Sequence, residues 1–146
     1  MSNAVLLANA AASLIMTGLI WFVQVVHYPL LSQFGSSQSV DVAHEHQRRT
    51  SWVVGLPMAT EGITTLILLV NAPDDVTSVL PWIGAVLLAV ALGSTVFLSV
   101  PLHSRMAASH SDEVGRKLVV TNWPRTFAWS ARSVVCLIML VQVIPS

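Results

Sequence analysis

Charged side chains are scarce in this chain of 146 residues, since Asp, Glu, Lys and Arg together make up 10% of it. Soluble domains average about 25%, so these side chains are too few to cover a surface that faces water. Cysteine is also nearly absent, and the single Cys136 excludes a secreted fold held by disulfide bonds within the chain. The formal net charge is +0, which argues against a basic surface that binds nucleic acid.

Hydrophobic residues, in contrast, make up 54% of the chain, and its mean hydropathy is +0.72. They gather in four runs, each near the roughly 20 residues that a helix needs to cross a bilayer. Backbone groups in lipid must pair within the segment, which favours helices, and the short alternating segments of a β-barrel are missing. The sequence predicts an all-α fold, a single integral membrane domain over residues 1–146 that forms a four-transmembrane-helix bundle. The predicted spans 1 to 4 are residues 4–28, 50–70, 81–103 and 119–144.

Basic residues mark the orientation of these spans. Five of the 7 Lys and Arg side chains lie in the connections between spans 1 and 2 and between spans 3 and 4: Arg48, Arg49, Arg105, Arg116 and Lys117. The connection between spans 2 and 3 contains Asp74 and Asp75 and no basic residue. The positive-inside rule predicts cytoplasmic basic connections and both termini outside, in a multi-pass protein of the inner membrane. No basic residue precedes span 1, so we expect a retained span there and not a signal peptide.

Two similar stretches indicate an internal repeat. Span 1 ends in VHYPL at residues 26–30, and span 3 ends in VPLH at residues 100–103. If the repeat is real, two helical hairpins are related by a pseudo-two-fold axis along the membrane normal, and a functional site is expected between them. The alternative is a chance similarity of two short stretches.

Four histidines are expected at the cytoplasmic end of the bundle. His27 and His103 lie at the ends of spans 1 and 3, and His44 and His46 precede span 2. Neutral imidazole is a good ligand of iron, copper and zinc, and histidines on different helices build the metal and haem sites of helical bundles. These four residues are the candidate metal ligands, and Gln24 and His27 are the candidate cofactor-binding residues. The alternative is that the histidines are amphipathic anchors at the membrane interface.

Span 4 has a polar face, because Asn122, Arg125, Trp129 and Arg132 recur at helical spacing. An arginine at the centre of a bilayer costs about 2.5–3.5 kcal/mol on insertion scales, so this face is expected to turn away from lipid. Glu61 is the only acidic residue inside a predicted span, and its depth is similar to that of Arg132. We therefore predict a buried Glu61–Arg132 pair. Glu61, Asn122, Arg125 and Arg132 are the candidate catalytic residues, with a purely structural pair as the alternative.

Two segments carry a resemblance to a known family. VPLHSR at residues 100–105 and TNWPRT at residues 121–126 resemble the anthrone-oxygenase-like family of small four-span membrane proteins. In the pattern of that family an asparagine follows the Val-Pro pair after the third span, where this chain has His103. The resemblance covers mainly the last third of the chain. It implies a four-helix bundle and oxygen chemistry on a hydrophobic substrate.

These features together favour a membrane oxidoreductase that uses a His-ligated transition metal or haem near the cytoplasmic face on a lipid-soluble substrate. Two other functions stay open. One is a non-catalytic membrane subunit or assembly factor whose polar residues join helices. The other is a small oligomeric transporter in which Glu61 binds a proton. The expected partners are the lipid bilayer, a hydrophobic small molecule and, in a homo-oligomer, further copies of the chain.

Overall fold

The structure is a computed structural model that describes residues 2–31, 39–108 and 112–144. Within these ranges every regular element is helical and there is no strand. Four helical stretches are long and apolar enough to cross a membrane, and they define spans 1 to 4 from here on: Asn3–Leu30, Arg48–Val70, Val79–Arg105 and Arg116–Gln142. The predicted all-α bundle of four membrane-spanning helices is therefore confirmed.

The α-helices of the described residues are, in chain order, α1 (Ser2–Phe22), α2 (Tyr28–Leu31), α3 (Ser39–Val70), α4 (Val79–Ser94), α5 (Val100–Ala108), α6 (Asp112–Thr121) and α7 (Trp123–Gln142). A π-helical segment, Val23–His27, joins α1 to α2, and a second one, Thr95–Ser99, joins α4 to α5. Spans 1 and 3 are therefore continuous helices with one widened turn each.

Each π-helical segment lies just before a proline. The backbone N–H of Tyr28 donates to the carbonyl of Val23, and the second segment is closed in the same way. Proline has no N–H and its ring crowds the preceding turn, and a widened turn is one way in which a helix accommodates this disturbance. The two segments stand at the same distance from Pro29 and Pro101, while the internal repeat itself stays a prediction.

The helices pack as a bundle of two layers. α1 packs against α3 and α7, and α4 packs against the same two helices. Large apolar side chains on the outside face the bilayer, among them Trp52, Leu56 and Phe97, which are 81%, 76% and 78% exposed. In a membrane this outer surface is solvated by lipid, so the contacts between helices have to come from packing and from polar groups.

A buried ion pair lies at the centre of the half of the bundle that is remote from the basic connections. Arg132 Nε donates to Glu61 Oε1 at 3.0 Å, and the two side chains are 1% and 0% exposed. The predicted Glu61–Arg132 pair is thus confirmed. Glu61 also accepts hydrogen bonds from Ser13 Oγ at 2.5 Å and from Trp129 Nε1 at 2.9 Å.

The guanidinium group of Arg132 carries the same network to the other spans. Its Nη1 donates to the backbone carbonyl of Gly84 in span 3. Its Nη2 donates to Thr65 Oγ1 at 2.7 Å in span 2 and to Asn9 Oδ1 at 3.4 Å in span 1. Each guanidinium nitrogen therefore has an acceptor, and all four spans meet at one neutralised pair. A counterion and a full set of hydrogen bonds offset the free energy that it costs to bury a charge in an apolar medium.

Gly84 provides a test of this packing. A Cβ at Gly84 would lie 3.2 Å from Arg132 Nη1, whereas a Cβ at Gly93 would meet nothing within 4 Å. Because Arg132 is held by several partners, it cannot retreat, and we expect Gly84→Ala to lower the free energy of unfolding by about 1–3 kcal/mol. Gly93→Ala is the matched control and should leave stability unchanged or slightly higher, since alanine is the better helix former. Unfolding in detergent followed by circular dichroism measures both, and equal stability of the two variants would contradict this account.

Candidate functional site

A cavity of about 560 Å³ lies between the four spans in the half of the bundle that carries the basic connections. Its volume is within the range of cavities that hold small organic molecules. The α3 side of the cavity is open, since none of the residues from 48 to 60 is buried, although Val54 and Met58 pack against the core that contains Met16 and Trp129. Most of the deep wall is apolar, formed by Met16, Leu19, Ile20, Val23, Val54, Met58 and Trp129.

Polar side chains gather at the end of the cavity nearest the basic connections. They come from all four spans and include Tyr28, Arg48, Thr50, Ser51, Thr95, Ser99, His103, Ser104 and Arg125. The cavity is therefore amphipathic, with an apolar deep end and a polar outer end. An amphipathic molecule with one polar group matches this division.

Tyr28, His103 and Arg125 form the centre of the polar end. The Tyr28 hydroxyl is hydrogen-bonded to His103 Nε2 at 2.8 Å and accepts from Arg125 Nη2 at 3.0 Å. A guanidinium group can only donate, so the hydroxyl oxygen accepts from Arg125, and the hydroxyl donates to His103 Nε2 in the tautomer that carries its proton on Nδ1. Tyr28 therefore lies between a fixed positive charge and an imidazole.

Asn122 and Gln24 hold Arg125 from behind. Asn122 Oδ1 accepts from Arg125 Nε at 2.9 Å and also from Nη2. Asn122 Nδ2 in turn donates to Gln24 Oε1 at 2.7 Å, and Gln24 Nε2 donates to the carbonyl of Val119 at 3.1 Å. Asn122 and Gln24 are buried, so this chain of hydrogen bonds fixes the guanidinium plane from within the protein.

The two arginines on the wall of the cavity differ in how their charge is balanced. Arg48 lies at the exposed rim and donates two hydrogen bonds to Glu45, from Nε at 3.0 Å and from Nη2 at 2.9 Å. Arg48 and Arg49 together lower the pKa of Glu45 to about 2, chiefly through these side-chain hydrogen bonds. Arg125 is only 7% exposed, and among the described residues its partners are the neutral groups of Tyr28, Thr95 and Asn122.

The structure divides the predicted site residues into two groups. His103 and Arg125 line the polar end of the cavity, and Asn122 and Gln24 lie behind Arg125 in the chain of hydrogen bonds described above. Glu61 and Arg132 belong to the separate ion-pair network and do not line the cavity, because their polar atoms are bonded to each other and to their neighbours. The two groups are linked through Trp129.

Trp129 forms part of the wall between the cavity and the ion pair. Its side chain is 1% exposed, lines the deep end of the cavity and donates from Nε1 to Glu61 Oε2. Its backbone carbonyl accepts from Thr17 Oγ1 at 2.9 Å. The apolar end of the cavity therefore has a rigid wall that is backed by the ion pair.

The predicted metal site is not assembled among the described side chains, which contain no group of three His, Cys, Asp or Glu that could hold a metal ion. His27 is half-buried and does not line the cavity, and His103 Nε2 is bonded to Tyr28. The side chains of His44 and His46 lie outside the described residues. A metal or haem site that includes them stays a prediction.

Sequence reasoning missed Tyr28 and Thr95 as site residues. Tyr28 is the only tyrosine of the chain and stands between His27 and Pro29, directly before the proline that accompanies the π-helical segment. A lone tyrosine beside a histidine at the end of a predicted span is a signal that could have placed it in the site. Thr95 carried no such signal, since threonine is common inside membrane helices.

No protein-family model, curated protein or solved structure matches this chain. The resemblance to the anthrone-oxygenase-like family therefore stays a prediction. The candidate site rests on its own geometry.

Asn122 should be essential for holding the side chains of Arg125 and Gln24 in place. Asn122→Ala removes the acceptor of Arg125 Nε and the donor to Gln24, and buried polar groups that lose their partners cost about 1–3 kcal/mol each. We expect a free energy of unfolding lower by at least that amount, measured by denaturation in detergent. Asn3→Ala removes the same side chain from an exposed position and serves as the control. Equal stability of the two variants would show that the hydrogen-bonded chain does not hold the site together.

Proposed function

We propose that this protein is a membrane-embedded enzyme that acts on a lipid-soluble small molecule bound in the cavity. The observation that carries the proposal is the cluster of Tyr28, His103 and Arg125 at one end of an otherwise apolar cavity. Apolar cavities with a few convergent polar groups are the usual form of small-molecule sites. The exposed apolar outer surface of the spans lets such a molecule reach the protein from the bilayer.

The chemistry that these residues support is proton transfer at an oxygen atom of the bound molecule. Arg125 would orient that oxygen and stabilise negative charge on it. The Tyr28 hydroxyl would exchange a proton with the oxygen, and His103 Nε2, at 2.8 Å from the hydroxyl, would take up or return that proton. Asn122 acts as a positioning residue, because it reaches the cavity only through Arg125.

Oxidation of the substrate is the reaction class that the sequence predicts, and it is part of the proposal. It needs an electron acceptor in addition to the proton-transfer residues described above. Because the described side chains do not assemble a metal site, we derive no step through a metal or haem. The roles of His27, His44 and His46 as ligands stay predictions.

A non-catalytic membrane subunit or assembly factor is the second candidate function. The ion-pair network favours it, since Glu61 and Arg132 join helices of this chain and leave no described polar atom of the pair turned to the cavity. In that case the cavity would hold a structural lipid or a segment of a partner. The small oligomeric transporter has no such observation in its favour.

Substitutions at two neighbouring valines test whether the cavity is the site where the small molecule binds. Val54 is half-buried on the cavity wall, and Val53 is 57% exposed on the outer surface. Val54→Trp should fill the cavity, whereas Val53→Trp adds the same bulk on the lipid side. We expect lipophilic compounds extracted from the purified native protein, analysed by mass spectrometry, to be retained by Val53→Trp and lost from Val54→Trp. Identical extracts from both variants would refute the proposed function.

Orientation in the membrane is a further part of the proposal. Cytoplasmic basic connections and outside termini would place the polar end of the cavity near the cytoplasmic face. Alkaline phosphatase is active only outside the cytoplasm, so a fusion after Asp75 or after Ser146 should be active and a fusion after Arg116 should be inactive. If only the fusion after Arg116 is active, the topology is the opposite of the proposed one, and the polar end of the cavity lies outside.

A further inference from the structure

We propose that the molecule bound in this cavity is an organic anion, and that its negatively charged oxygen binds Nη1 of Arg125. This inference rests on the proposed function and names the class of its substrate. The anion is a carboxylate or an acid of similar strength attached to one apolar group. The inference is drawn from the charge, the hydrogen bonds and the shape of the cavity.

The charge of Arg125 is the first argument. Arg125 and Arg132 lie on the same face of α7 and are 7% and 1% exposed, so both charges are largely removed from water. Arg132 is neutralised by Glu61 at 3.0 Å. Among the described residues Arg125 has no carboxylate partner, and its contacts are to neutral oxygens. A buried cation without a counterion is costly in a low dielectric, and an anion in the adjoining cavity would remove that cost.

The hydrogen bonds of Arg125 show where the anion would bind. Its Nε and Nη2 are engaged by Asn122 and Tyr28. Its Nη1 has one long contact among the described residues, to Thr95 Oγ1 at 3.5 Å. Because Nη1 carries two hydrogens and Arg125 lines the cavity, Nη1 can donate a charge-assisted hydrogen bond to a ligand oxygen. The same oxygen would then lie beside the Tyr28 hydroxyl.

The deep end of the cavity restricts the rest of the molecule. Met16, Met58 and Trp129 close this end with apolar surface, and Trp129 is held in place through Glu61. Arg125 and Trp129 are separated by about 6 Å along α7, at 1.5 Å per residue. An anion held at Arg125 therefore has room for a ring system or a short folded chain in a volume of about 560 Å³.

Binding of a carboxylate and its ester tests the inference. The probes are laurate and methyl laurate, which share an apolar chain and differ in charge, and lauryl phosphate, which separates a phosphate from a carboxylate preference. Titration calorimetry on the full chain in phosphatidylcholine nanodiscs, with empty nanodiscs subtracted, should give a Kd at least ten-fold lower for laurate than for its ester. Tighter binding of lauryl phosphate than of laurate would support the anion site with a phosphate as its preferred head group.

Variants assign the preference to Arg125. In Arg125→Gln the ratio of the two Kd values should fall close to one. Arg105→Gln removes a charge from an exposed position in the same half of the bundle and should leave the ratio unchanged. If Arg125→Gln does not fold, the wild-type protein still tests the inference. Lowering the pH until laurate is protonated should raise its Kd to that of the methyl ester.

Equal affinity for acid and ester, including no measurable affinity for either, overturns the inference. So does a preference for the acid that Arg125→Gln retains. Neither result touches the proposed function, which depends on whether Val54→Trp removes the compounds that co-purify with the protein. Suppose that Val54→Trp loses a neutral compound and that the wild type shows no preference for laurate over its ester. The proposed enzyme function would then stand, and the inference that its substrate is an anion would be wrong.

Discussion

The Glu61–Arg132 ion pair determines how the four spans can pack. A guanidinium group in an apolar medium needs a counterion and an acceptor for each of its donors. Here Thr65 and Gly84 accept from Arg132, and Ser13 donates to Glu61, so three further residues on three different spans complete the network. Any rotation of one helix would leave a charged or polar atom of this network without its partner. The pair therefore specifies one arrangement of helices that otherwise present similar apolar surfaces to lipid and to each other.

Arg125 lies two turns before Arg132 on the same helix, α7. The two arginines differ in their surroundings, since one belongs to the ion pair and the other lines the cavity. Arg132 is surrounded by acceptors of this chain and does not line the cavity described above. Arg125 is bonded to the neutral groups of Asn122, Tyr28 and Thr95 and lines the cavity. The half of the bundle with the ion pair thus fixes the helices, the other half contains the cavity, and Trp129 joins the ion pair to the cavity wall.

Much of this architecture follows from the sequence, because lipid allows so few solutions for charge and backbone. Spans of apolar residues, and an acid and a base at similar depth, predict the bundle and the Glu61–Arg132 contact. The contact between Tyr28 and His103 could not be predicted in this way, since neutral polar groups have many alternative partners. The cavity could not be predicted either, because it depends on how the four helices pack and not on their composition. The predicted convergence of imidazoles remains a prediction for His44 and His46.

The π-helical segments give a geometric reason for the site. A π-helical turn adds one residue, which rotates the side chains beyond it by roughly 100° relative to a regular helix of 3.6 residues per turn. Tyr28 is the first residue after one segment, and His103 lies beyond the end of the other. Their side chains are hydrogen-bonded across opposite hairpins, and Tyr28 also contacts the guanidinium group of Arg125. Pro29 and Pro101, which look at first like breaks in two apolar spans, therefore stand beside the widened turns beyond which Tyr28 and His103 meet.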